Sequence, residues 1–347
     1  MEGAAALELL ARAPFVHLAG SAADGEILLR TLNSVVVERT LYFHGSPHGE
    51  KARLEGRRVA VSAERVVATI PSYFVDPEMA CPATTYYVSS AARGVVETVT
   101  TVDEKARVLT AFMERHQPEG GHAPIDGANR TYHNVLAGLW VAKIELTDIM
   151  GKRKVGQNRS APQIVRIVEG LWQRGGASDL PAIRDILSAH PGRPVPSFLA
   201  GPGGAVLDPA LDARDLAEAA ALLRGEYWCR GTADSVIAGG LLGAGAWVGA
   251  RAGVDGPLIA TARANTDGER HAYVADVVVS ASHRGRGIGT ALLQLLLDHP
   301  RVRRVRCVRL GTRDPRFYER FGFVLARDRD ESTQVSMDRS PLAALGG

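Results

Sequence analysis

The strongest chemical signal in the chain is the segment Val277-Val278-Val279-Ser280-Ala281-Ser282-His283-Arg284-Gly285-Arg286-Gly287-Ile288-Gly289-Thr290. An apolar strand runs into an Arg/Gly-rich turn, and the turn opens a helix. Glycines let the backbone approach a ligand with no Cβ in the way. The unbonded N–H groups of a helix N-terminus, with the helix dipole behind them, suit a diphosphate. Arg284 and Arg286 add charged donors. Two mononucleotide motifs fit the segment badly. A P-loop needs a lysine that this turn lacks. The dinucleotide fingerprint wants Gly-x-Gly-x-x-Gly and an acidic ribose reader downstream, and neither is here.

Other reactive side chains form no pattern. His17, His44, His48, His116, His122 and His133 crowd the first half, but no His-x-x-x-His or His-x-Glu spacing emerges. Cys81, Cys229 and Cys307 lie far apart and form no Cys-x-x-Cys unit. No metal site and no disulfide framework are therefore expected. Arg301, Arg303, Arg304, Arg306 and Arg309 read as a solvated strand face with helix-end charge, the alternatives being contact with a coenzyme phosphate or with nucleic acid.

The elements that must position these residues change in character along the chain. Strands are expected at 15–20, 26–38, 40–45, 58–64, 84–99 and 136–146, rich in Val, Leu and Tyr with polar or Gly punctuation. One helix stands among them. Thr101 and Glu104 have capping-box spacing, and Ala106, Leu109, Phe112 and Met113 line one face of the helix they open. Strands in succession with few helices predict a sandwich or barrel. Residues 175–204 hold a short helical piece and a Pro/Gly-rich stretch, which reads as a linker. Beyond it helices at 210–225, 287–300 and 315–322 alternate with strands at 246–253, 258–265, 271–281 and 304–312, a mixed α/β pattern. The expected division is 1–178, a linker at 179–204, and 205–347.

Composition narrows the class. The chain has 347 residues, enough for two domains. Lys plus Arg is 41 against 38 for Asp plus Glu, a net charge of +3, which argues against a dedicated nucleic-acid binder. Charged residues interrupt every apolar stretch before it reaches bilayer length. The N-terminus carries Glu2 and Glu8 and no basic n-region. A soluble cytoplasmic protein without a membrane partner is the expectation.

The turn at 284–290 resembles the acetyl-CoA pyrophosphate loop of the GNAT acetyltransferase superfamily. Its neighbours fall in family order over about 205–340: Glu226-Tyr227-Trp228, Tyr273-Val274-Ala275-Asp276-Val277, Leu310-Gly311-Thr312-Arg313-Asp314, and Phe317-Tyr318-Glu319-Arg320-Phe321-Gly322-Phe323. The resemblance implies acetyl-CoA bound by Arg284, Gly285, Arg286, Gly287, Ile288, Gly289 and Thr290. It implies that the backbone of Val277 and Val279 pairs with the pantetheine arm. It places Tyr318 as the general acid that protonates the leaving thiolate. Asp276 falls where some members carry a base or a carboxylate for a cationic substrate; the other reading is a strand-edge salt bridge. With acidic Glu226, it favours a small cationic amine as acceptor.

The first half resembles the flavin-binding split-barrel superfamily typified by pyridoxamine 5′-phosphate oxidase, over about 10–175. Arg30-Thr31-Leu32-Asn33, the stretch from Leu41 through His44, Gly45 and Ser46 to Lys51, and Tyr87-Val88-Ser89-Ser90 carry the likeness. It implies FMN, with Arg30, His44, Gly45, Ser46, Lys51 and Ser89 around it, and a homodimer of barrels. Arg, Lys, a hydroxyl and a helix start together suit a phosphomonoester. Residues 151–171 resemble the tail of an FMN-binding group of negative transcriptional regulators. Some split barrels bind haem, which leaves His44 or His133 open as an axial ligand. The expected architecture is a mainly-β split barrel followed by an α/β GNAT fold with a mixed central sheet. The alternative to a transferase is a flavin- or haem-dependent oxidoreductase or sensor whose GNAT half only binds CoA.

Overall fold

The computed structural model describes residues 3–192, 194–325 and 335–339. The ends of the expected domains at 1–2 and 340–347, and positions 193 and 326–334, lie outside the described residues. The chain forms two compact units, Met1–Val66 with Thr85–Lys154, and Val67–Thr84 with Val155–Gly347. Among the described residues, no helix is long and apolar enough to cross a membrane.

The first unit begins with helix α1 (Gly3–Arg12) and strands β1 (Val16–Ser21), β2 (Ile27–Leu32), β3 (Val35–Val37), β4 (Thr40–Gly45), β5 (Arg58–Ile70) and β6 (Thr84–Thr98). Helices α2 (Val102–His116) and α3 (Arg130–Gly138) come next, then β7 (Trp140–Glu145) and β8 (Thr147–Lys154). The strand order is β2-β1-β5-β6-β7-β4-β3, with β8 also on β6. Period-two patterning sets the inward face: Tyr86, Val88, Ser90, Ala92 and Val96 alternate along β6 with exposed or half-buried residues. Leu18, Phe43, Val61, Val96 and Ile144 meet in the core.

Two local expectations are refined here. Residues 26–38 make two strands, because the chain turns at Asn33-Ser34. Thr101 caps α2 by accepting from the Glu104 N–H at 3.3 Å. The reciprocal half of the box is missing, since the Glu104 carboxylate is taken by Tyr42 Oη (3.2 Å) and Lys143 Nζ (3.2 Å). Helix α3, which the residue pattern did not announce, starts where the Asn129 side chain accepts from the Thr131 N–H at 2.9 Å.

The second unit contains α4 (Ala161–Arg174), α5 (Asp179–Ser188), β9 (Val206–Asp208), α6 (Leu216–Arg224), α7 (Asp234–Leu242), β10 (Ala246–Arg251), β11 (Leu258–Thr266), β12 (His271–Val279), α8 (Ile288–Leu297), β13 (Cys307–Thr312), α9 (Pro315–Glu319), β14 (Val324–Leu325) and β15 (Val335–Arg339). Its sheet runs β14-β15-β13-β12-β11-β10-β9. The β12–β13 pair is parallel and its neighbouring pairs are antiparallel, so the sheet is mixed. The parallel pair is bridged by α8, whose Leu292, Leu293 and Leu296 are fully buried. Residues 179–204 carry α5, which buries Ala182, Ile183 and Ile186.

A buried ion network ties β9, α5, β10 and the start of α6. The Asp215 carboxylate accepts from Arg184 (2.8 Å), from the Asp212 N–H (2.8 Å) and from Arg251. Its side chain is 3% exposed, against 18% and 16% for the two arginines. Removing a buried anion leaves its cations uncompensated in a poor solvent. Asp215→Ala is therefore expected to destabilise this unit by about 3–5 kcal/mol, read from the urea midpoint. A loss below about 1 kcal/mol would mean that water replaces the carboxylate at little cost.

Candidate functional site

Strands β12 and β13 pair only as far as Val274↔Leu310. β12 then continues to Val279 while β13 ends at Thr312. The cause is a bulge. The β11–β12 register shifts between Thr261↔Val278 and Arg263↔Ala275, so Asp276 and Val277 together oppose Ala262. Asp276 takes a left-handed backbone, φ 54°. The divergence opens a cleft of about 830 Å³, walled by β12, the start of α8, the end of β13 and α9 and by Tyr227 and Trp228. It lies outside the carboxyl ends of the parallel strands, the usual place for ligands in open α/β sheets.

The 284–290 turn forms one end of this cleft. Gly285 and Gly287 hold φ of 75° and 82°, conformations that a side chain resists. Gly287 is the N-cap of α8, and the first amide bonded within the chain is that of Ala291, to the Gly287 carbonyl at 3.1 Å. Among the described residues, the amides of Gly285, Arg286, Gly287, Ile288, Gly289 and Thr290 meet no acceptor. Val277 and Val279 line the cleft. The Val279 carbonyl already accepts from Arg284 Nε at 2.9 Å.

The two carboxylates expected to face a cationic acceptor are both paired internally. Asp276 accepts from Trp228 Nε1 at 3.0 Å through one oxygen and from Arg263 Nε through the other. Of the two roles open to it, proton acceptor or paired strand carboxylate, the geometry is that of the paired one. Glu226 accepts from Arg284 at 2.6 Å, so its charge is spent on the turn rather than on a substrate. Tyr318 stands edge-on to Phe317 at 4.9 Å between centroids. Burial, then the neighbouring Tyr227 and Asp314, push its phenol up to about 12, so it stays protonated at neutral pH. Cys229 is half-buried beside these residues. Burial, then the charge of Asp276, pushes its thiol up, away from the thiolate that a covalent acyl carrier requires.

In the first unit the turn after β4 gathers the phosphate candidates. Lys51 Nζ donates to the His44 carbonyl at 3.0 Å, close over Gly45, and burial holds its ammonium below the usual range. Ser46 Oγ accepts from the His48 N–H at 3.2 Å. The helix expected at Lys51 is one 3₁₀ turn, Glu50–Leu54. Arg30 reaches this turn from β2, and its Nε donates to Glu50 at 2.7 Å. Glu50 lies inside the Leu41–Lys51 stretch with no role assigned to it there, and it is the anion that Arg30 holds. The His44 ring lies edge-on to Phe112 at 4.9 Å, and His133 Nδ1 lies 3.1 Å from the Gly127 carbonyl. Ser89 sits on β6 opposite Lys152 of β8, near where Lys152 and Lys154 lie over the Tyr87 ring.

Two family models match the chain. Residues 2–153 match pyridoxamine 5′-phosphate oxidase, and residues 216–323 match the acetyltransferase (GNAT) family. The chain is thus an N-terminal split barrel of the first family joined to a C-terminal GNAT domain. Among solved structures, it is similar to a flavocytochrome from Azotobacter vinelandii (16% identity, 45% of this chain, 68% of that one, TM-score 0.37). It is similar to an FAD and haem binding protein from Mycobacterium smegmatis (22%, 45% and 72%, TM-score 0.37). It is also similar to a protein assigned to the GNAT family from Xanthomonas campestris pv. campestris (26%, 37% and 89%, TM-score 0.33). A search of curated proteins returns no match.

Adding a side chain to the turn should cost both backbone energy and ligand contact. Gly287→Val forces a β-branched residue to φ 82°, and is expected to cost about 1–3 kcal/mol of stability. It should also weaken acetyl-CoA by roughly tenfold or more, the loss of one charge-assisted amide contact. Calorimetry and a thermal melt check the two effects separately; unchanged affinity would remove the turn from the coenzyme site.

Proposed function

We propose that the second unit transfers an acetyl group from acetyl-CoA to an amine, and that the first unit holds FMN. The observation that carries the first reading is the row of six amides without acceptors at the mouth of the β12–β13 opening. They and Arg286 would take the pyrophosphate. The edge that β12 exposes beyond Val274 would take the pantetheine arm as an added strand.

The chemistry balances with the groups in the cleft. The amine nitrogen attacks the thioester carbonyl carbon, the C–S bond breaks, and the departing sulfur takes the proton of Tyr318 Oη. The surplus proton on nitrogen leaves to solvent, since Asp276 and Glu226 are both held by arginines. Tyr318 then recovers a proton from water. An ordinary thiol has a pKa of roughly 8.5, so a phenol near 12 does not protonate a solvated thiolate. The transfer is favourable only while the sulfur is desolvated in the cleft, where its own charge is costly.

Two outcomes test this. Tyr318→Phe should lower kcat by about 100-fold or more while leaving acetyl-CoA affinity unchanged. The wild-type rate should climb with pH as the acceptor amine loses its proton, with no falling limb until Tyr318 itself titrates, about 12. A falling limb near neutrality would assign the acid to another group. A chain that binds acetyl-CoA and acetylates no amine would be a coenzyme-binding regulator.

In the first unit Arg30, Ser46 and Lys51 fit a phosphomonoester once Glu50 swings aside. That movement costs little, because the ion pair is solvent-accessible, with Glu50 55% exposed. Bound FMN would supply hydride and single-electron transfer. The outer face of β2 leaves Ile27 74% and Leu29 61% exposed, an apolar strip on which a second barrel would pair. Glu50→Gln removes the competing anion and keeps the shape. It should tighten FMN several-fold, by an amount that shrinks as salt rises; weaker binding would place the phosphate elsewhere.

A further inference from the structure

The cleft wall carries three guanidiniums among the described residues, those of Arg284, Arg313 and Arg320. Arg284 is committed to Glu226 and to the Val279 carbonyl. Arg320 lies over the Phe317 ring and donates to the Phe317 carbonyl at 3.4 Å. Arg313 differs. It has no hydrogen bond or ion pair to any described residue, and its guanidinium carbon sits 3.6 Å above the centre of the Tyr227 ring. Its chain neighbour Asp314 forms no ion pair with it, and the Asp314 N–H goes to Thr312 Oγ1 at 3.0 Å.

Face-on stacking fixes a guanidinium without using any of its five N–H donors, which lie in the plane of the group. Arg313 is thus held flat with its donor edge free, the arrangement that matches a planar carboxylate through two parallel hydrogen bonds. The ring that carries it lines the same cleft as Tyr318. The free donor edge therefore opens into the cleft that also holds the phenol. Of the three carboxylates in the cleft wall, Asp276 and Glu226 are neutralised by arginines, and Asp314, next to Arg313 in the chain, pairs with no described residue.

On the acetyl-transfer reading above, we propose that the acceptor amine also bears a carboxylate, and that Arg313, stacked on Tyr227, binds it bidentately and selects for it. The substrate class is then an amino acid or other amino-carboxylate rather than a polyamine. Arg313 acts as a specificity determinant and takes no part in the proton transfer.

The full chain can be assayed for CoA release with two matched series, ω-amino acids from glycine to aminohexanoate and the n-alkylamines of the same length. At the best length, the carboxylate partner should be favoured in kcat/KM by about 10- to 100-fold, as for a charge-assisted pair. Arg313→Ala should bring that ratio close to one by raising KM for the amino acids, with alkylamine kinetics and acetyl-CoA affinity unchanged. Arg313→Lys, which keeps the charge and loses the fork, should restore only part of the ratio. Equal or better turnover of alkylamines, or a ratio insensitive to Arg313→Ala, overturns the proposal and leaves the transferase reading standing. Weakened acetyl-CoA binding in Arg313→Ala also overturns it, by giving the arginine to the coenzyme. Should neither series accept acetyl at all, the transferase reading falls and takes this proposal with it.

Discussion

The second unit depends on one residue being held in an unfavourable conformation. Asp276 sits at φ 54°, a region that costs a non-glycine residue free energy. Aspartate tolerates it better than most, and here the carboxylate is fastened on both sides by Arg263 and Trp228. That fastening stabilises the bulge, the bulge turns β12 away from β13, and the turn leaves strand backbone facing an opening instead of a partner. Without it β12 would continue its ladder with β13 and the cleft would close. The same ion pair that a motif alone would make catalytic is thereby architectural.

Charge in the cleft is set by this arrangement. Asp276 and Glu226 are each bonded to an arginine, so the opening presents few uncompensated charges. The groups that remain for ligands are of four kinds: neutral amide N–H groups of the turn, a phenol kept protonated by burial, the stacked guanidinium of Arg313 and the carboxylate of Asp314. None must be pulled from a counter-ion before it acts, which is the condition under which fixed dipoles are most effective. On the proposed transfer reading, neither Asp276 nor Glu226 would be free to take the acceptor's proton.

Much of this was legible in the residues. Glycine spacing after an apolar strand announced the turn at 284–290, and period-two patterning placed most strands to within a few residues. The features that escaped were relations that no local pattern encodes. Helix α3 hides behind Leu136 and Leu139, which read equally well as the start of β7. Glu50 looked like an ordinary surface acid beside Lys51 until β2 delivered Arg30 to it. Asp276 and Glu226 could be assigned a ligand from type alone; only the fold reveals that arginines 13 residues before one and 58 residues after the other reach them first. Long-range charge pairing has no periodicity, so a sequence displays the charges and hides their partners.

On the proposed reading the two units would meet phosphate differently. The 284–290 turn offers amides, whose partial charges attract an anion and repel nothing. The turn after β4 offers full charges, Arg30 held by Glu50 and Lys51 bonded to the His44 carbonyl. An amide site needs no rearrangement, whereas Arg30 would exchange Glu50 for the ligand, a small cost for so exposed a pair. A dianionic phosphate would gain from two cations at once, and so more than a monoanion.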